Sequence, residues 1–155
     1  MAIYAGIDPG QSGGIAFIFG QGVQAIKMPV TERDVWIYFN ETIRNYRKYN
    51  LSNVCITIIE KVHSFPSQGI ASSFKFGQNY GFLRGILVAL EVKLIEVSPQ
   101  RWQRDLNIPS SKGKTKTQHK NALKQRAQQL FPQLNITLAT ADALLIAYWG
   151  TRYGL

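Results

Sequence analysis

The sequence predicts an α/β fold with a five-stranded mixed sheet flanked by helices. Two observations carry that prediction. Apolar runs with strand and helix character follow one another in the order three strands, helix, strand, helix, strand, helices. Gly20 to Gly22 is also a hairpin-length turn, which makes the second and third strands antiparallel neighbours. A length of 155 residues, 45% hydrophobic and 17% charged, fits one domain, residues 1–155, with a core of its own.

The elements follow in chain order. YAGIDPG and GGIAFIFG read as two strands joined by a Gly-rich turn, and GVQAIKMPV reads as a third, ended by Pro29. Thr31 can cap the helix that follows, with Asp34 at the reciprocal position. That helix carries Val35, Ile37, Tyr38 and Ile43 and fades into the polar NYRKYN. VCITIIE is the clearest strand, β-branched, apolar and ended by Glu60. A loop, SFPSQG, precedes a long helix over about residues 70 to 91, and VKLIEV is the fifth strand. Ser98 and Pro99 open a short helix with Trp102 and Leu106. IPSSKGKTKT reads as a basic loop, QHKNALKQRAQQLF as a helix stopped by Pro132, and ADALLIAYWGTRYG as the last helix. Trp102 and Trp149 are expected in the core.

Composition narrows the function. The lone cysteine, Cys55, excludes an internal disulfide and a thiolate metal site. It reads as a buried structural thiol in a cytosolic protein. No apolar run approaches the roughly 20 residues of a spanning helix, and MAIYAGIDPG has neither the basic nor the apolar region of a secretory signal, so no membrane partner is expected. Lys and Arg total 18 against nine Asp and Glu, a net charge of +9. No acid lies between Asp105 and Asp142, whereas Lys112, Lys114, Lys116, Lys120, Lys124 and Arg126 all do. Such a patch points to a phosphate backbone, with Lys112, Lys114, Lys116 and Lys120 as its best binders. Lys114 and Lys116 are both candidates for stabilising charge on a phosphate being cut, and His119 reads as a phosphate contact.

Three acids stand out against this basic background. Asp8 shares a strand face with Tyr4 and Gly6, and Glu60 ends the stripe of Val54, Ile56 and Ile58. Asp142 shares a helical face with Leu145, Ile146 and Trp149. Each therefore projects towards the interior edge of the fold, without a basic partner on its own segment. Buried charge needs compensation, and divalent cations with hard oxygen ligands supply it. Two Mg²⁺ ions would also suit phosphodiester hydrolysis. The glycines after Asp8 are expected to let a bulky substrate come close. The glycines do not form a phosphate loop, because GxxxxGK[ST] is absent.

GIDPGQSGGIA, IIEKVHSFPSQGIASSFKFGQNYGFLRGIL, VSPQRWQRDL, KTQHKNALKQRAQQLFP and ADALLIAYW, in that order and across nearly the whole chain, resemble the RuvC family of Holliday-junction resolvases in the RNase H-like superfamily, especially its short phage-type and bacterial forms. The resemblance implies an RNase H-like fold and a homodimer paired through the helix at about 70–91. It implies symmetric nicking of four-way DNA junctions with Mg²⁺ or Mn²⁺, two ions per site, in the cytoplasm of a bacterium or phage-infected cell. Asp8, Glu60 and Asp142 match three catalytic, metal-holding acids of the family. His63 and Phe65, in the loop after Glu60, would then lie at the mouth of the site, where Phe65 could stack on an unpaired base. Gln78 and Arg84 on the long helix could reach DNA or a partner subunit.

The sequence departs from the family at one place. A fourth ligand, Asp or His, usually stands about three residues before the last acid, and here that residue is Ala139. Weaker metal occupancy and slow or absent cleavage are expected. Three alternatives therefore stay open: a catalytically silent junction-binding protein, an RNase H-like nuclease for RNA–DNA hybrids or other branched DNA, and a sugar-kinase or actin-like half. The short chain and the lack of a second such half count against the last.

Overall fold

The computed structural model describes residues 2–20, 22–49, 54–62 and 69–154. Five strands form one sheet: β1 (Ile3–Asp8), β2 (Gly14–Phe19), β3 (Gly22–Lys27), β4 (Cys55–Glu60) and β5 (Lys93–Val97). Their spatial order is β3-β2-β1-β4-β5. The first three form an antiparallel meander, and β1, β4 and β5 run parallel. This is the expected mixed sheet. Short glycine turns can only reverse a strand, whereas the helical crossovers return it in the same direction.

Helices cover both faces. On one side α1 (Glu32–Tyr49) and α2 (Ile70–Ala89) pack Val35, Phe39, Ile43, Leu83, Ile86 and Leu87 against Ile3, Ala5, Ile7, Phe17, Cys55 and Ile59. On the other lie α3 (Pro99–Asp105), α4 (Lys116–Leu130) and α5 (Leu138–Tyr153), which pack Trp102, Leu123, Ala127 and most of α5 against Ala16, Ile56 and Ile58. Cys55 is buried, as expected, with its sulfur beside the Thr57 hydroxyl. Among the described residues no helix is long and apolar enough to cross a membrane.

Three boundaries differ from the sequence expectation, and local chemistry explains each. Thr31 does cap α1, accepting from the Asp34 N–H at 3.1 Å. The helix then continues through NYRKY because Tyr46 is buried and Arg47 donates to the Leu90 carbonyl. Helix α4 starts at Lys116, inside the expected loop, because Thr115 and Gln118 cap each other's backbone N–H groups. Helix α5 starts at Leu138, where the Thr137 N–H donates to the Thr140 hydroxyl at 3.0 Å. Ala139 therefore stands on the first turn of α5, one turn before Asp142.

The close docking of α5 on β1 fixes the geometry of everything near it. A Cβ at Gly6 would overlap the Ala143 carbonyl oxygen and the Ala147 nitrogen of α5. One at Gly14 would lie 2.5 Å from the Ala139 carbonyl oxygen. These contacts leave no room for a side chain, so only glycine lets helix and strand meet at this distance.

Candidate active site

Asp8 ends β1 and Glu60 ends β4, and the parallel register that pairs Ile7 with Ile59 sets them side by side at the strands' C-terminal edge. Both lie on the α5 side of the sheet, since Gly6 meets α5 and Ile58 reaches Gly150. Asp142 descends from α5 onto the same edge and is 5% exposed. The three acids thus meet, although they come from segments far apart in sequence.

Lys120 completes the cluster. Its ammonium donates to Asp142 Oδ2 and lies 3.9 Å from Asp8 Oδ2. The sequence reading placed Lys120 among the surface backbone binders, but its side chain is only 33% exposed and points into the carboxylates. It could not be paired from sequence because its partners lie on β1 and α5. One lysine shared by two acids still leaves Glu60, among the described residues, without an ion pair of its own. Glu60 instead accepts a hydrogen bond from the Trp102 indole at 2.9 Å.

Electrostatics record this crowding. Burial, and then the nearby Asp142, push Asp8 up to about 6 against the pull of Lys120 and the Gly10 N–H. Burial and Asp8 push Glu60 up to about 7, opposed by the Trp102 N–H and Lys120. Burial pulls the Lys120 ammonium down, but Asp142, Asp8 and Glu60 outweigh it and hold it above its ordinary value.

The donor set suits a hard divalent cation. All three acids offer oxygen, Asp142 Oδ1 is buried with no hydrogen-bond partner, and a cation, Lys120, already stands between Asp8 and Asp142. Among the described residues, however, no three His, Cys, Asp or Glu side chains are gathered closely enough to cage an ion without rearrangement.

The glycines after Asp8 have a different use from the one expected. A Cβ at Gly13 would overlap the Asp8 carbonyl oxygen and lie 2.8 Å from its carboxyl carbon. Gly13 and Gly14 are thus spent on packing against Asp8 and α5, whereas a Cβ at Gly10 would make only ordinary van der Waals contact with Ser12 and Gly13.

Of the other expected DNA contacts, Lys112 and Lys114 are exposed on the loop before α4, Lys116 is exposed on its first turn, and Lys124 is half-buried one turn past Lys120. His63 and Phe65 lie outside the described residues. His119 faces Gln103 at 3.2 Å and is half-buried, which does not fit a free phosphate contact. Arg84 pairs with Glu96 at 3.5 Å. Asp105 accepts from the Trp149 indole at 2.9 Å and pairs with Arg101 and Arg104.

Two residues near the acids escaped the sequence reading. Trp102 is fully buried, as expected, yet its N–H holds Glu60. The available signal was that a buried indole must find an acceptor. Asn79 of α2 donates to the Pro9 carbonyl and ties down the turn after Asp8, and no sequence pattern marks it.

No protein-family model and no curated protein matches this sequence. Solved structures do. The chain is similar to Thermus thermophilus RuvC in complex with a Holliday junction substrate, with a TM-score of 0.62 and 14% identity over 99% of this chain and 97% of that one. It is also similar to a second T. thermophilus RuvC structure, with a TM-score of 0.58 and 16% identity over 98% and 96% of the two chains. The α/β fold that brings Asp8, Glu60 and Asp142 to one sheet edge is therefore a RuvC-like, RNase H-like fold along essentially its whole length.

Proposed function

We propose that this chain is a metal-dependent, structure-selective endodeoxyribonuclease that binds four-way DNA junctions as a homodimer and nicks two strands symmetrically. The observation that carries this reading is the meeting of Asp8, Glu60 and Asp142 at one edge of the sheet, in a strongly basic chain whose fold matches that of a junction-bound RuvC. Asp8, Glu60 and Asp142 would hold Mg²⁺ or Mn²⁺, which supplies Lewis-acid polarisation of the phosphoryl oxygen and a water acidic enough to attack near neutral pH. Trp102 orients Glu60, and the Gly10 and Gly13 turn orients Asp8. Exposed Lys112, Lys114 and Lys116 would take phosphates, which fixes the register of the DNA without reading bases.

The apolar side of α2 supports a second copy as partner. Ile70, Phe74 and Val88 are 90%, 67% and 70% exposed, and Gly77, Gly81 and Gly85 on the same helix meet nothing beyond their own helix among the described residues. Twofold pairing would set two identical sites on a substrate of matching pseudo-symmetry.

Ala139 favours one rival, a silent junction-binding protein, because a methyl group on the first turn of α5 offers no ligand beside Asp142. One assay separates the readings. The protein is incubated with a labelled four-way junction, a linear duplex and an RNA–DNA hybrid, in Mg²⁺, Mn²⁺ or Ca²⁺. Paired nicks at symmetric positions of the junction in Mg²⁺ or Mn²⁺ are expected. Tight junction binding without cuts would favour the silent protein, and preferential hybrid cleavage would overturn junction selectivity.

A further inference from the structure

We propose that Lys120 is a built-in cation of the carboxylate cluster, holding one of the two expected cation positions, so that each protomer takes a single divalent ion. The inference rests on the metal-dependent reading above and changes its ion count.

Four observations converge. The Lys120 ammonium contacts Asp142 and lies 3.9 Å from Asp8, so it sits between the acid of β1 and the acid of α5, where an ion shared by those two would have to sit. Ala139 removes a ligand on the α5 side, one turn from Asp142, so an ion there would have one protein carboxylate fewer to hold it. The charges match as well. Asp8, Glu60 and Asp142 carry three formal negative charges when ionised and Lys120 one positive, which leaves two, the charge of one Mg²⁺ or Mn²⁺. Finally, Lys120 is not a free surface arm. Helix α4 is fixed at its start by the Thr115 and Gln118 caps and pinned to the core by buried Leu123 and Ala127. Displacing the ammonium would expose Asp8 and Asp142 to each other's charge in a buried setting, a cost that an incoming ion must overcome.

The positions left for the single ion are the ones Lys120 does not take. Asp142 Oδ1 is buried and without a partner, and Trp102 occupies only one oxygen of Glu60. Those free oxygens of Asp142 and Glu60 are the donors that Lys120 leaves for a single ion.

The test is calorimetric titration of the full-length protein with MnCl₂ in the absence of DNA, on the natural chain, Lys120→Met and Lys120→Arg. The natural chain should bind one Mn²⁺ per protomer. Lys120→Met should bind two, and Lys120→Arg, which keeps the charge, should still bind one. Thermal melting supplies a second readout. Mn²⁺ should raise the melting temperature of Lys120→Met more than that of the natural chain, because more uncompensated carboxylate charge is relieved. Two ions on the natural chain would overturn the inference while leaving the metal-dependent nuclease intact. An unchanged isotherm in Lys120→Met would do the same. If Lys120→Met does not fold, the stoichiometry of the natural chain alone decides. No Mn²⁺ binding by the natural chain would overturn both this inference and the metal-dependent reading.

Discussion

Helices α2 and α5 look alike as strings of residues and behave differently as structure. Both are long, both mix small with apolar side chains, and neither shows an acidic first turn. Ten of the 16 residues of α5 are buried, because it lies across the sheet with Gly6 and Gly14 removing every obstacle beneath it. Only Leu83, Ile86 and Leu87 of the 20 residues of α2 are buried, all in its second half. Apolar content therefore states that a helix needs cover, and only the fold states whether the same chain provides it. For α5 it does. For α2 the chain covers one side near the C-terminus and leaves Ile70, Phe74 and Val88 open, which turns an ambiguous sequence feature into an argument for a second copy.

The largest effect that probes this contrast is Gly6→Val. Its side chain would be forced into the α5 backbone, so α5 should lift from β1 at a cost of more than about 4 kcal/mol, enough to abolish cooperative unfolding by circular dichroism. A variant that melts within a few degrees of the natural protein would mean that α5 is not docked this closely.

A smaller effect tests the charge that α5 brings to the sheet edge. In metal-free protein the folded pKa values of Asp8 and Glu60 lie above their unfolded values of about 3.8 and 4.5. The folded state then binds protons more tightly, so their stabilising contribution is complete below about pH 4 and lost as pH rises through 6 to 7. Stability in EDTA should fall as pH rises from about 4 through that range by roughly 3 kcal/mol for each acid. Added Mn²⁺ should cancel the fall, and Asp8→Asn should remove about half of it, because burial still raises Glu60. A profile that rises with pH would break the proposed coupling.

The smallest effect concerns α2. Among the described residues no neighbour stands near Gly81, so Gly81→Leu should fold and melt normally as a monomer. If a second copy packs there, sedimentation should show dimer dissociation weakened at least tenfold, about 1.4 kcal/mol. Unchanged association would move the interface off this helix.

These differences show where the sequence was legible. Strand alternation set Asp8 and Glu60 each on an inward face of its own strand, and helical spacing set Asp142 on an inward face of its helix, because each pattern is local; the pairing of β1 with β4 that joins them is not. The Lys120 contact was not legible. It joins α4 to β1 and α5, and a lysine within a basic run carries no mark of facing inward. The starts of α4 and α5 were misplaced because threonines inside polar stretches read as loop until their capping partners are seen three residues on. The glycines after Asp8 were noticed but assigned to an outside visitor, when α5 and the Asp8 turn of the same chain fill that space.

The tight seat of α5 on β1 has an evolutionary consequence. Most core positions tolerate exchange among similar hydrocarbons, so their identities blur as lineages diverge. The seat under Ala143 and Ala147 admits no substituent of any kind, and its restriction holds however far the rest of the chain drifts. A bare backbone two residues before the first acid is therefore a stricter requirement of this fold than the hydrophobic pattern around it.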